Sequence, residues 1–390
     1  MVSRVLVLNT GSSSVKFALT DGHKTVLRGQ ISGLPSAPEL EARSGRSDAM
    51  HERLDGPLSA DEAVLAVLGL IEERASGTTP DIVGHRVVHG GPFFEGPALV
   101  TTKVLKRITQ LVPLAPLHQP AALEAIEAVE RHLPGVPQMA SFDTSFHRSQ
   151  EHHVQLYALP EDYTRRGILR YGFHGLSYDH VASEVARLLP DLDQPRIVAA
   201  HLGSGASLCA IRGRQSVATS MGFSALDGLP MATRCGSLDP GALLFLIRQE
   251  GLDPDEVEQV LYREAGLRGM ARIGTGDIRE ILKREEEPGP AQALAHFVHR
   301  ISLGIGEMAA ALNGMDVLVF TGGVGENAAQ IRERVAAGLG YLGVHIDRTR
   351  NDQGRQRLEF DDSNCQVLVI PADEEAVIRR DAESILASRD

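Results

Sequence analysis

The sequence predicts an α/β protein of two domains built on one repeated plan. Three observations carry this. Strand-like apolar runs alternate with helical patterns along the chain. At 390 residues the chain is too long for a single core. And "LNTGSSSVKFAL" at 8–19 is echoed by "AHLGSGASLCAI" at 200–211, about half a chain further on.

In order, VLVL at 5–8 opens a strand that turns through Asn, Thr, Gly and three serines. The proline- and charge-rich segment Leu34–Leu58 reads as a surface loop. Asp61–Arg74, apolar at 64, 65, 68 and 71, reads as a helix, and DIVGHRVV at 81–88 as a strand. A domain boundary is expected after FDTSFH (142–147). Ser177–Leu189 predicts a helix capped by Ser177, with Val181, Val185 and Leu188 on one face. RIVAA at 196–200, DVLVF at 316–320 and QVLVI at 366–370 are strands, and Lys283–Pro290 a loop. Ala291–Leu312 predicts a long apolar helix, buried or bridging domains. Asn327–Leu339 and Asp373–Leu386 complete the helices.

Composition limits the function. Hydrophobic residues make up 43% of the chain, enough for sizeable cores, and 51 acidic against 39 basic residues leave a net charge of −12. That argues against nucleic acid or an anionic membrane as a partner, and requires cations to be gathered locally if the substrate is an anion. The three cysteines, widely spaced and without a CxxC, suit a reducing cytosol rather than a disulfide framework or zinc site. No run reaches the length of a membrane span, and the N-terminal apolar run is too short for a signal-peptide core, so a cytoplasmic protein is expected.

Chemistry concentrates in loops. The turn at 9–14 presents small hydroxyls and backbone N–H groups suited to phosphate oxygens, although Asn and Gly also make an ordinary hairpin turn. Lys16 adds a cation beside it. HLGSGAS (201–207) has the same chemistry, and VFTGGVGENA (319–328) follows a strand and opens a helix, as anion-binding loops do. No Gly-Lys dipeptide occurs, which excludes a P-loop. Gly323 to Ala328 also satisfies GxGxxA, with Asp347 near the distance of a ribose-binding acid, so a dinucleotide oxidoreductase is a competing reading. His85, Arg86 and His89, then His118, Asp143, His174 and Arg234, stand in loops stiffened by glycine or proline, where a rigid backbone would aim them. Phosphoryl transfer needs such cations around the equatorial oxygens. Asp373, Glu374 and Glu375 at a helix start suit the helix dipole, or a Mg²⁺ ion that needs few carboxylates.

These motifs together resemble the acetokinase family, within the actin-like, sugar-kinase-like ATPases. The likeness rests on NTGSSSVKF (9–17), HRVVHGG (85–91), PLAPLH (113–118), FDTSFH (142–147), YGFHG (171–175), HLGSGAS, TSMGFSALDGLPMATR (219–234), FTGGVGENA (320–328) and the acidic turn, and spans essentially the whole chain. The resemblance implies two duplicated ribonuclease-H-like domains with the active site in the cleft between them, usually as a homodimer. The first domain is expected over 1–147 plus 372–390 on the acyl and phosphoryl side, the second over 148–371 on the nucleotide side. The implied reaction is reversible transfer of the ATP γ-phosphoryl group to acetate with Mg²⁺, or Mn²⁺ in its place.

Carried over by motif, Asn9, Ser12, Ser14 and Lys16 would lie near the transferring phosphoryl group and the metal. Arg86 and Arg234 would flank acetate and the phosphoryl group, and His174 would stabilise the transition state. Asp143 would orient an arginine or the metal shell, and His118 would be a secondary active-site residue. Val88, Leu117 and Phe173 would form the acyl pocket. His201, Leu202, Gly203, Ser204 and Gly205 would face the phosphates. Asp277, Ile278 and Arg279 would bind the adenosine portion, with Gly322, Gly323, Val324, Gly325, Glu326 and Asn327. Glu375, ahead of Glu374, would hold the metal with Asn9.

The chain departs from the family pattern at Ser204, where asparagine is usual, and at Cys235 and Ser237. Ala225 replaces a common proline. Losing ring carbons there leaves room for about one methylene, which predicts propionate activity beside acetate. A third class, a non-catalytic actin-like ATPase or assembly module, should lack the arginine and histidine loops.

Overall fold

The computed structural model describes residues 4–11, 13–45, 48–75, 79–116 and 118–388. Two compact units divide the chain, Met1–Phe146 with Asp373–Asp390, and His147–Ala372.

The first unit holds an eight-stranded sheet. Strands β1 (Arg4–Thr10), β2 (Ser14–Asp21), β3 (Lys24–Ser32), β4 (Glu39–Ser44) and β5 (Asp48–Arg53) form an antiparallel meander. β6 (Ile82–Val87) runs parallel to β1. β8 (Gln138–Phe142) runs parallel to β6, and β7 (Ala98–Leu99) is the antiparallel edge beside it. Alternation explains the layering. Leu6, Leu8, Phe17 and Leu19 pair across β1 and β2 and enter one core with Val64, Val67 and Ile71 of the helix Ala60–Arg74 and Val129 of Gln119–His132. The helix Glu374–Ala387 packs on β1, β6 and β8, where a Cβ on Gly84 would lie 2.6 Å from Ile378 Cγ2. Only glycine permits that approach. Helix Ala60–Arg74 begins in a capping box. Ser59 Oγ accepts from Glu62 N at 3.2 Å and Glu62 Oε2 from Ser59 N at 2.7 Å, an arrangement worth about 1 kcal/mol.

The second unit repeats the core of this plan. β9 (Arg196–Leu202), β10 (Ala206–Arg212) and β11 (Gln215–Thr219) form a meander. β12 (Val317–Thr321) lies parallel to β9, and β13 (Gln366–Val369) parallel to β12. The order β11-β10-β9-β12-β13 therefore matches β3-β2-β1-β6-β8. The echo between 8–19 and 200–211 falls on β1–β2 and β9–β10. The second turn is one residue shorter, since Thr10 pairs with Val15 but Leu202 with Ala206. The helix Pro288–Leu312 packs on β9 and β10 of its own unit, burying Phe297, Ile301 and Ile305, so it is a core helix.

Several expectations need correcting. Within Leu34–Leu58 the chain forms β4 and β5 rather than a loop, with Leu40 and Ala42 buried between exposed Glu39, Glu41 and Arg43. That alternation was masked by the flanking prolines and charges. The helix placed at Ser177 begins at Gly175 and is not capped by Ser177. The helix expected over Asn327–Leu339 is present as Ala329–Ala337, and a separate short helix, Gly322–Asn327, precedes it.

Candidate active site

In both units the chemical groups gather at the carboxyl ends of the parallel strands, where open α/β sheets bind ligands. In the first unit these are Asn9 near the end of β1, Arg86 in β6 and Asp143 just after β8. The buried Asp143 carboxylate accepts from Arg86 Nε at 2.9 Å and Nη2 at 2.7 Å, a bidentate pair that fixes the guanidinium plane. Arg86 Nη1 donates to Glu374 Oε2 at 2.9 Å and to Asn9 Oδ1 at 3.4 Å, and Asn9 Nδ2 donates to Glu374 Oε2 at 3.2 Å. Burial opposes the Arg86 charge, but Asp143 and then Glu374 outweigh it and hold the guanidinium above its ordinary range.

Glu374, rather than Glu375, is thus the acid on Arg86 and Asn9. The reason is helical. Asp373 caps Ala376 N at 2.9 Å, and one further residue turns a side chain by about 100°. Glu375 faces a cleft of about 520 Å³ that it lines with Lys16 and Arg28. Burial first, then Asp373 and Glu374, raise its carboxyl above the usual range, against Lys16 and Arg28. Among the described residues no group of three His, Cys, Asp or Glu forms a closed metal cage. Asn9 Oδ1 and Glu374 Oε2, which both accept from Arg86 Nη1, are hard oxygen donors of the kind a magnesium ion takes in small number.

In the second unit His174 is the N-cap of Gly175–Leu188 in the left-handed conformation, φ 58°, strained for a residue with a side chain. Its Nδ1 lies 2.8 Å from Ser207 Oγ, which also contacts the Tyr178 hydroxyl. The His174 and His201 rings stack with centroids 4.3 Å apart, and Ser177 Oγ meets His201 Nδ1 at 2.9 Å. Ser177, already inside the first turn, turns its hydroxyl to His201 instead. Arg234 Nη1 donates to the Ala225 carbonyl at 2.9 Å. Burial draws its guanidinium below the ordinary range, with Tyr262 countering. A Cβ on Gly205 would stand 3.2 Å from His174 Nε2 and 3.4 Å from Arg234 Nη2, so the bare turn is what lets the two approach it.

Ser14 opens β2, and Lys16 is exposed on it. Ser12 and Leu117 lie outside the described residues. Val88 and His118 are half-buried, and Phe173 is buried with its carbonyl on His147. Leu202 is core and Ser204 exposed. Asp277 caps Ile278–Lys283, and its carboxylate is taken by the Arg279 guanidinium at 2.5 Å. Ile278 is buried, so its side chain belongs to the core. Gly322–Asn327 forms a short helix, with Glu326 accepting from Ala372 N at 2.9 Å and Asn327 bonding Gly323 O at 2.9 Å. Asp347 caps Arg348–Asp352 and accepts from Arg350 N, an ordinary helix-cap role.

Sequence reasoning missed Arg332. It is 1% exposed and donates to the carbonyls of Gly325 and Glu326 at 2.8 Å each and to Asn351 Oδ1 at 2.8 Å. A buried cation on main-chain acceptors fastens the end of the glycine-rich helix. In "QIRERV" it reads as an exposed helical charge; nothing local signals burial.

A family model described as the acetokinase family matches residues 4–380. An acetate kinase of Nitrobacter hamburgensis is 42% identical over 99% of this chain and 96% of its own length. One of Methylocella silvestris is 41% identical over 98% of each. Among solved structures, Porphyromonas gingivalis acetate kinase superposes with TM-score 0.88 at 36% identity, covering 98% of this chain and 100% of that one. A propionate kinase of Francisella tularensis does so with 0.91 at 33%, covering 98% and 99%. Matched along nearly all its length, in sequence and in fold, the chain belongs to the acetokinase family.

Proposed function

We propose that the chain transfers the γ-phosphoryl group of ATP reversibly to acetate, giving acetyl phosphate and ADP, by direct in-line attack of the carboxylate. It is a phosphotransferase with a carboxyl group as acceptor. One observation carries the reading beyond the family likeness. Each unit holds, at the carboxyl ends of its parallel strands, an arginine fixed by protein partners.

Acetate is already ionised near neutral pH, so its attack needs no general base. The difficulty is to bring two anions together. Arg86, oriented by Asp143, answers it on the acetate side, and Arg234 with His174 answers it where charge spreads over the phosphoryl oxygens. No proton is transferred. Asn9 and Glu374, with Glu375 next along the helix, would hold Mg²⁺ or Mn²⁺; bound there, the ion would neutralise the β- and γ-phosphate oxygens. Ser12, Ser14 and Lys16 would attend the phosphoryl group, and His118 would assist. The His201–Gly205 turn would face the phosphates. Asp277–Arg279 and Gly322–Asn327 would take the adenosine portion. A cytoplasmic homodimer is proposed as well. It is supported by the helix Pro240–Arg248, which has no buried residue and exposes Leu244, Phe245 and Ile247.

Propionate is the second acid. Ala225 supports this, because its carbonyl accepts from Arg234 and its side chain carries no ring where the family commonly has a proline. The test is hydroxylamine trapping of the acyl phosphate formed from ATP, Mg²⁺ and formate, acetate, propionate or butyrate. Acetate should give the highest kcat/KM, with propionate within about 10–200-fold. Absence of ATP-dependent hydroxamate from every acid would remove the reading.

A further inference from the structure

We propose that Ser207, ordered by Tyr178, is a positioning residue that keeps the His174 proton on Nε2 and presents that N–H at the glycine turn 203–205. The proposal rests on the phosphoryl-transfer reading for its kinetic consequence, but its structural half can be measured without substrate.

The bonds around Ser207 run in one direction. Tyr178 is fully buried, and its hydroxyl oxygen has a main-chain hydrogen bond from His201. Burial also keeps the phenol protonated, far from its ionisation range. Its own proton therefore goes to Ser207 Oγ, the side-chain partner it touches. Ser207 has a single hydroxyl proton, and the remaining neighbour of its oxygen is His174 Nδ1 at 2.8 Å. Donation there leaves Nδ1 the acceptor and puts the ring proton on Nε2.

The rest of the site suits that tautomer. Nε2 is the nitrogen that faces the turn, beside Arg234. His201 stacks on His174 with ring planes 22° apart. Two imidazolium rings at that spacing would repel, so the stack disfavours both rings being charged at once. Arg234 then supplies the full positive charge and His174 a directed N–H. The left-handed backbone at His174 is what swings the ring off the helix terminus, where an N-cap side chain would ordinarily turn back onto the backbone.

The experiment uses the full chain with ¹⁵N-labelled histidine, substrate-free at pH 8. Long-range ¹H–¹⁵N spectra distinguish protonated from bare ring nitrogens, and His174→Gln assigns the signal. The wild type should show a protonated Nε2 and a bare Nδ1. Ser207→Ala should shift His174 toward the other tautomer, and Tyr178→Phe should shift it in the same direction by less. Steady-state kinetics should show kcat lowered by about 10-fold in Ser207→Ala, with KM for acetate and ATP within about twofold. Ser207→Thr, which restores a hydroxyl, should recover both readouts. Should Ser207→Ala not fold, Tyr178→Phe carries the test. A wild-type His174 protonated on Nδ1, or a tautomer unmoved in both variants, would overturn the proposal whatever the kinetics. The expected tautomers in a protein without kinase activity would leave the positioning intact and remove the phosphoryl-transfer reading instead.

Discussion

Arg86 carries the acetate side of the proposed transfer. Two of its nitrogens are held by Asp143 and a third by Glu374 and Asn9. Removing the side chain takes two charged hydrogen bonds from the buried Asp143 carboxylate, so Arg86→Ala combines a folding cost with a chemical one. Arg86→Lys keeps the charge but loses the bidentate fork. Both it and Arg234→Ala should lower kcat by about 100-fold or more while circular dichroism and the unfolding transition survive. Near-normal turnover in both would remove the arginines from the mechanism. Arg86, Asp143, His174 and Arg234 were legible as residues because glycines, prolines and strand ends frame them. Their partners were less so. Ser207 and Tyr178 look like ordinary strand and helix residues, and the separation of Glu374 from Glu375 depends on helical rotation, which the run DEE does not display.

At the scale of elements, the glycine-rich segment after β12 is a six-residue helix whose end is held from outside. Arg332 supplies that hold from the next helix, with Asn351 completing it through Asn351 Nδ2 to Ala329 O at 2.9 Å. Burial alone draws this guanidinium below its ordinary range, with only Asp352 in opposition. Arg332→Met should destabilise the chain by about 3 kcal/mol, since several buried carbonyls lose their donor. The same variant should raise KM for ATP and leave KM for acetate within about twofold. Isothermal denaturation and steady-state kinetics measure the two effects; an equal rise in both KM values would contradict the placement. Strands with continuous apolar runs were readable from sequence, as β1, β9, β12 and β13 illustrate. β4 and β5, the edge strand and its inner neighbour, were not, because charged residues alternate with apolar ones along β4 and charge marks the edge, so that the run resembles a loop.

At the scale of the molecule, the two sheets share one strand order, and the short sequence echo marks where the shared plan is most local. Two buried histidines, one in each unit, give the molecule a pH dependence. Burial holds His85 and His147 down at about 4, against an ordinary value of 6.5. Both are neutral in the folded chain and gain protons more readily when it unfolds. Their contribution is complete above about pH 6.5 and is lost as the pH falls toward 4, on the order of 3 kcal/mol for each. Thermal midpoints from pH 7 to 4.5 should fall less steeply in His85→Gln than in the wild type; identical slopes would refute this.

On the proposed mechanism, positioned charge alone moves the phosphoryl group from ATP to the carboxylate, with no covalent protein intermediate. The stereochemistry at phosphorus decides the point, with ATP made chiral at the γ-phosphoryl group by oxygen isotopes and the configuration of the acetyl phosphate analysed. A single in-line transfer predicts inversion of configuration. Retention would require an intermediate such as a phosphohistidine and would rule out direct transfer.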